Sequence, residues 1–213
     1  MQTGPEFAVF SILVLILSVI IHEVAHGYAA YALGDPTAKL AKRLTLNPFR
    51  HIDLMGSVIV PALLLLSGTR LLFGWAKPVP YNPYNLRNQR WGEAIVAGAG
   101  AATNLLLAVL FGFIARHAYA IGATPFGDIA STVTLVNLFL GLFNLFPIPP
   151  LDGYTVLRGL LPTRSAMAFR DFEDRLRRGG FLTLIVVLAF FTYFLAQPLA
   201  ALVFWIFGKL VGA

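Results

Sequence analysis

Within the first apolar run stands His22-Glu23-Val24-Ala25-His26, two imidazoles four positions apart with a carboxylate beside the first. On an α-helix, positions i and i+4 share one face a turn apart, so both rings can reach a single Zn²⁺. Glu23, next to the first ring, is placed to take a proton from water activated by that ion. Two packing histidines with a neighbouring carboxylate are the plain alternative. Three ionisable groups within five residues of an apolar span are costly in hydrocarbon, however, and such groups mark functional sites.

A catalytic zinc usually takes three protein ligands and keeps one position open. The chain has no cysteine, so the third ligand must come from His, Asp or Glu. Most acidic residues fall at span ends or in polar loops. Asp152 stands apart, after a helix end broken by Pro147, Pro149 and Pro150 and in apolar surroundings. Its alternative role is to cap a following helix over Tyr154 to Leu161, since aspartate is a good N-cap.

The elements that must carry these residues follow from hydropathy. Of 213 residues, 58% are hydrophobic and only 12% charged, with a mean hydropathy of +0.76, too apolar for a soluble domain of this length. The expected architecture is an all-α polytopic membrane protein of about four to six transmembrane helices, one membrane protease domain over 1–213 with its core at 7–161. The first span is expected over Phe7 to Leu33, stopped by Gly34-Asp35-Pro36, and is kept in the mature chain because it lacks a basic flank and a cleavage site. A short hairpin or extended segment is expected near Ala41 to Asn47. Leu54 to Phe73, interrupted by Gly56, Pro61 and Gly68, is expected to be re-entrant or interfacial, and Gly74 to Arg90 an ordered loop. Long spans follow at Trp91 to Arg116 and Asp128 to Phe146, then a charged, solvated segment at Thr163 to Gly180. The membrane segment 181–211 is broken near Gln197-Pro198 and could be one kinked helix or a tight pair.

The net charge of +6 raises nucleic acid as a partner, but the basic residues are scattered through short loops between apolar segments, as in a membrane protein, and no nucleic-acid partner is expected. With the N-terminus outside and Leu54 to Phe73 not crossing, 14 of the 16 basic residues face the cytoplasm and only Arg116 and Lys209 lie outside. His22 then lies about 16 Å from the end of its span at 1.5 Å per residue, inside the bilayer near the cytoplasmic side, and Asp152 returns to that same side.

HEVAH in one span together with NLFPIPPLDG at the end of another resembles the site-2 protease family of intramembrane metalloproteases, over about Leu17 to Leu161. The resemblance implies His22, His26 and Asp152 as ligands of one zinc, Glu23 as general base, and membrane-embedded helices as substrates in a prokaryotic cell membrane. Gly100-Ala101-Ala102-Thr103-Asn104 is similar to the family's Gly-x-x-x-Asn element, with Ala101 where a proline often stands. His51 to Gly56 and Phe73 to Pro80 look like the compact branch that lacks a PDZ domain. Asn104 and Asn144 are implied as contacts to a substrate strand or an oxyanion, or else as helix-helix glue. Gly98 and Gly100 are expected to allow close helix approach. His51 is expected as a gate or metal-supporting residue or as a solvated one, and His117 as interfacial. Rival readings are a zinc transporter and an inactive helix-binding homologue. The substrate and the oligomeric state are not legible.

Overall fold

In hydrocarbon each backbone N–H and C=O must find its partner within the protein, and a helix does so within one segment. Among the described residues the long apolar stretches are all helical. The computed structural model describes residues 4–60, 62, 66 and 74–212. Among these the elements are α1 (Pro5–Ala32), a short α2 (Thr37–Leu40), α3 (Gly92–Ala120), α4 (Thr124–Asn144), α5 (Asp152–Leu160), α6 (Thr163–Arg178), α7 (Gly180–Phe190) and α8 (Ala196–Val211). Four stretches are long and apolar enough to cross a membrane: Glu6–Ala32, Gly92–Ala120, Thr124–Asn144 and Ile185–Val211. No strand occurs among the described residues.

Proline opens α1 and α4, where its missing N–H costs nothing. α1 closes on Gly34, whose φ of 106° only glycine takes readily. The Gly34 amide bonds Tyr31 O at 3.0 Å and the Asp35 amide bonds Ala30 O at 2.9 Å, the paired closure of a Schellman end.

α3 is the central spine. Its buried face is built largely of small residues, among them Ala94, Ala97, Gly100, Ala101, Ala108, Gly112 and Ala115, so α1, α4 and α5 pack closely against it. α8 crosses the far side, where Leu199 and Val203 join Ala108 and Leu138 in a core cluster.

One expectation is corrected, and one left open is resolved. The hairpin after the first span does not form: Thr37–Leu40 is helical, and the chain then turns through Lys42 at φ 53° into irregular backbone held by local bonds, Arg43 N to Ala38 O and Thr45 N to Arg43 O. Within this segment Leu44 packs against α1, where a Cβ on Gly27 would strike it, while Leu46 is exposed. The C-terminal stretch is one continuous helical run interrupted by a π-helical turn at Phe191–Leu195. Pro198 has no N–H for the carbonyl four residues back, and the turn just before it takes up the mismatch. The charged segment is the helix α6, with only Glu173 fully buried among its described side chains. Leu54 to Phe73 begins as a π-helical turn at Leu54–Ile59, and most of the remainder lies outside the described residues.

Asp35, read from sequence only as part of a helix stop, is completely buried and pins the end of α1 to the loop that follows residue 74. It accepts from Thr37 N (3.1 Å), Thr37 Oγ1 (2.5 Å), Asn82 N (2.6 Å) and Asn85 Nδ2 (2.8 Å). Burial alone would raise its pKa, but these donors outweigh it and hold the carboxyl below the usual aspartate range. A depressed folded-state pKa contributes stability that is present above the unfolded value and lost as pH falls through the folded one. Asp35→Asn is therefore expected to lower the apparent Tm in detergent at pH 7 by several degrees. The gap to wild type should narrow as pH drops below about 4, and a gap that stays constant between pH 7 and pH 3 contradicts this account.

Candidate active site

The i, i+4 spacing on α1 turns both imidazoles toward the start of α5, where Asp152 is the first helical residue. His22 Nε2 lies 3.0 Å and His26 Nε2 3.3 Å from Asp152 Oδ2. One ligand atom from each of the three lies within 4.8 Å of the others. The rings stand edge to face with centroids 4.6 Å apart.

The other ring nitrogens are fixed by acceptors. His26 Nδ1 meets Val96 O at 2.7 Å, and His22 Nδ1 meets Asn104 Oδ1 at 2.5 Å. A carbonyl oxygen can only accept, so each Nδ1 carries the proton and each neutral ring presents the Nε2 lone pair. These two lone pairs converge on Asp152 Oδ2, which is buried and makes no hydrogen bond of its own. Three electron-rich atoms facing one another in a poorly hydrated place call for a cation, and two nitrogens plus a carboxylate oxygen suit zinc.

Room for it comes from α3. A Cβ on Gly100 would stand 2.6 Å from His26 Cε1 and Nε2 and 2.7 Å from His22 Cε1. Gly100 thus clears space for the rings, beyond the helix approach expected of it. Gly98, by contrast, would meet only Val156 at an ordinary 3.7 Å.

Glu23 points to a loop no spacing rule could reveal. Its Oε2 accepts from the Val79 amide at 2.8 Å. The segment leading to Val79 is extended and tethered at alternate residues: Trp75 N to Gly56 O at 3.1 Å, Lys77 N to His51 O at 2.8 Å, and Val79 N to Glu23. Arg43, itself buried, donates to Lys77 O at 2.7 Å. His51 is 2% exposed with Nε2 on Thr45 O at 2.8 Å, so the solvated reading of it is overturned. It braces the loop that holds Glu23.

α5 is clamped from both sides. Gly153 sits against the carbonyls of Leu145 and Phe146, leaving no space for a Cβ. Further along, Arg158 pairs with Glu93 of α3 and with Glu173 of α6 at 2.6 Å, and Tyr154 donates to Phe169 O at 2.7 Å. Asp152 is therefore presented by a helix anchored at both ends.

Of the two places expected for Asn104, at a substrate or between helices, its contacts are those of the second. It is fully buried and its amide is committed to His22, Asn137 and Ser18, so it supports a ring instead of facing an open cleft. Asn144 donates to Leu140 O of its own helix at 3.0 Å and borders the Asp152 segment, one residue before Leu145. Ser18 and Asn137 were not singled out from sequence. The available signal was that Ser18 falls one turn before His22 and that Asn137 is an amide in the middle of an apolar span.

A helical bundle with four membrane-crossing stretches around a His-His-Asp trio and an adjacent carboxylate defines, as a class, a membrane-embedded zinc metalloprotease. A sequence model of peptidase family M50 matches residues 117–187. The Bacillus subtilis protein named "Putative zinc metalloprotease YwhC" is 37% identical over 203 residues, covering 92% of this chain and 84% of its own. "Putative zinc metalloprotease Rip2" of Mycolicibacterium smegmatis is 29% identical over 90% of this chain and 70% of its own. Its counterpart from Mycobacterium tuberculosis strain Erdman is 31% identical over 73% of this chain and 62% of its own. No solved structure matches. The chain belongs to peptidase family M50, the site-2 protease family, and is an integral membrane zinc metalloprotease.

Proposed function

We propose that the chain, acting over 1–213 as one domain, hydrolyses peptide bonds within or beside transmembrane segments of other membrane proteins, with the site inside the bilayer near the cytoplasmic face. The observation that carries this is the convergence of His22 Nε2, His26 Nε2 and Asp152 Oδ2, whose histidines lie on a helix long and apolar enough to span the membrane. His22, His26 and Asp152 hold the metal. When bound, zinc supplies Lewis acidity toward the scissile carbonyl and the attacking water.

The remaining steps belong to side chains of this protein. Glu23 accepts the proton of the attacking water and returns it to the leaving amine. Because the Val79 amide occupies Oε2, Oε1 is the basic atom. Asn144, one residue before the Leu145 that packs on Gly153, bonds the substrate backbone or the developing oxyanion. A helical substrate hides each carbonyl in its own ladder and must unwind locally before it can be cut. The extended segment through Pro78 and Pro80 is the edge that receives the unwound strand.

The cytoplasmic placement rests on charge. The backbone amide of Arg87 bonds Leu33 O at the end of α1, and the side chains of Arg158 and Arg170 gather on Glu93 at the start of α3, so the basic loops collect at one end of the bundle. The test is cleavage in liposomes of a transmembrane helix and of a soluble peptide of matching sequence, alongside reporter fusions in α6. Zinc-dependent cutting of the embedded helix, abolished with loss of metal in Asp152→Ala, is expected, with cytoplasmic reporter signals. Metal retained in Asp152→Ala, cutting confined to the soluble peptide, or an external signal from α6 each sinks its part of the proposal.

A further inference from the structure

From the metal trio toward the middle of the bundle runs a file of buried polar side chains that the proposed chemistry does not use. Asn104 on α3 and Asn137 on α4 are wholly buried, and Ser18 on α1 is 4% exposed. The sense of every bond among them is dictated by groups that can only accept. Val133 O takes one proton of Asn137 Nδ2 at 2.9 Å, which places nitrogen at that end of the amide, and Ser18 Oγ lies 2.9 Å from the same Nδ2. Asn137 Oδ1 therefore faces α3 and accepts from Asn104 Nδ2 at 2.7 Å. The second proton of Asn104 goes toward Ser18 O at 3.4 Å. With both protons so engaged, the atom Asn104 offers to His22 Nδ1 at 2.5 Å is its oxygen, and His22 must donate.

The two histidines differ in a way that explains why such a file exists. The Nδ1 of His26 is held by a backbone carbonyl, which has no second orientation. That of His22 is held by a side-chain amide, which could rotate and present NH₂ instead, turning the Nε2 proton toward the metal. A flipped Asn104 would lose Asn137 Oδ1 and Ser18 O together. Resting on the assignment of His22, His26 and Asp152 as zinc ligands, we infer that Asn137 and Ser18 are positioning residues for the metal, locking the Asn104 amide and through it the tautomer and ring plane of His22. Outer partners of this kind commonly change metal affinity by 10- to 100-fold. Asparagines that merely join helices contribute stability and leave the metal unaffected.

The experiment uses the full chain in detergent, with zinc affinity by chelator competition, the visible spectrum of the cobalt-loaded protein, and the apparent Tm of the metal-free protein. Asn137→Leu is expected to weaken zinc by about 10-fold or more and to alter the cobalt bands. Ser18→Ala should move both in the same direction by less. Wild-type affinity and an unchanged cobalt spectrum in Asn137→Leu, whatever its metal-free Tm, overturn the inference. Should Asn137→Leu not fold, Ser18→Ala, which only removes an atom, decides by the same two readouts. His22→Ala separates the two levels: if it keeps wild-type affinity and spectrum, the ligand assignment itself has failed and the inference with it.

Discussion

Glu23→Gln is expected to retain zinc and fold while losing peptide hydrolysis by about a thousandfold, within the range that general acid-base groups supply. A thousandfold corresponds to about 4 kcal/mol of barrier. The retention is as much a part of the result as the loss. Glutamine keeps a carbonyl oxygen for the Val79 amide that now bonds Glu23 Oε2, and Glu23 is not among the three groups whose ligand atoms converge. Single-turnover cleavage and metal analysis on one preparation check it. Hydrolysis surviving within tenfold of wild type removes Glu23 from the chemistry. Loss of zinc along with activity would make it a ligand. A zinc transporter with the same residues would still move metal after this change, so the variant also separates the two classes.

Gly100→Ala should cost nearly as much by a different route. In a helix this substitution ordinarily stabilises by about 1 kcal/mol. Here the added methyl would stand 2.6 Å from His26 Cε1 and Nε2 and 2.7 Å from His22 Cε1, and neither ring is free to swing because each Nδ1 is already bonded. Zinc affinity is expected to fall by about 100-fold or more, taking the upper end of what displaced ligand geometry costs, with activity falling alongside. Chelator competition is the measurement. A variant that is more stable than wild type and binds zinc as well would show that the rings relax away and that Gly100 serves helix packing alone.

How much of this the sequence already held depends on whether the signal was local. His22, Glu23 and His26 are legible because a helix converts spacing into a shared face, with no knowledge of the rest of the fold. Asp152 was legible by elimination and by resemblance, and the structure brings it within 3.0 Å of His22 Nε2. The four spans were found within a few residues, since hydropathy acts residue by residue. What escaped was decided between elements. The grip of Val79 on Glu23 uses a backbone amide, which has no sequence signature. Asn104 stayed open between a substrate contact and helix-helix glue, because polarity in a membrane span does not say which element meets it, and its partners come from two other helices. The hairpin expected at Ala41 to Asn47 failed because the alternation there is too short and one-sided to pair: Leu44 packs on Gly27 while Leu46 stays exposed.

The small-residue face of α3 also governs which sequence changes this protein can absorb. On most core helices a larger apolar residue is a modest error that neighbours accommodate. Along α3 the neighbouring elements sit where a methyl or two would go: Leu210 against Gly112, Gly159 of α5 against Ala94, the metal-site rings against Gly100. Substitutions there are filtered by volume, whereas outward-facing Leu106, Leu110 and Phe113 are filtered by hydrophobicity and are indifferent to size. Divergence within such a protein is thus channelled along a helical period, with one stripe nearly frozen and the opposite one drifting freely among apolar residues. A catalytic centre seated on the frozen stripe is sheltered from drift by packing constraints that have nothing to do with its chemistry.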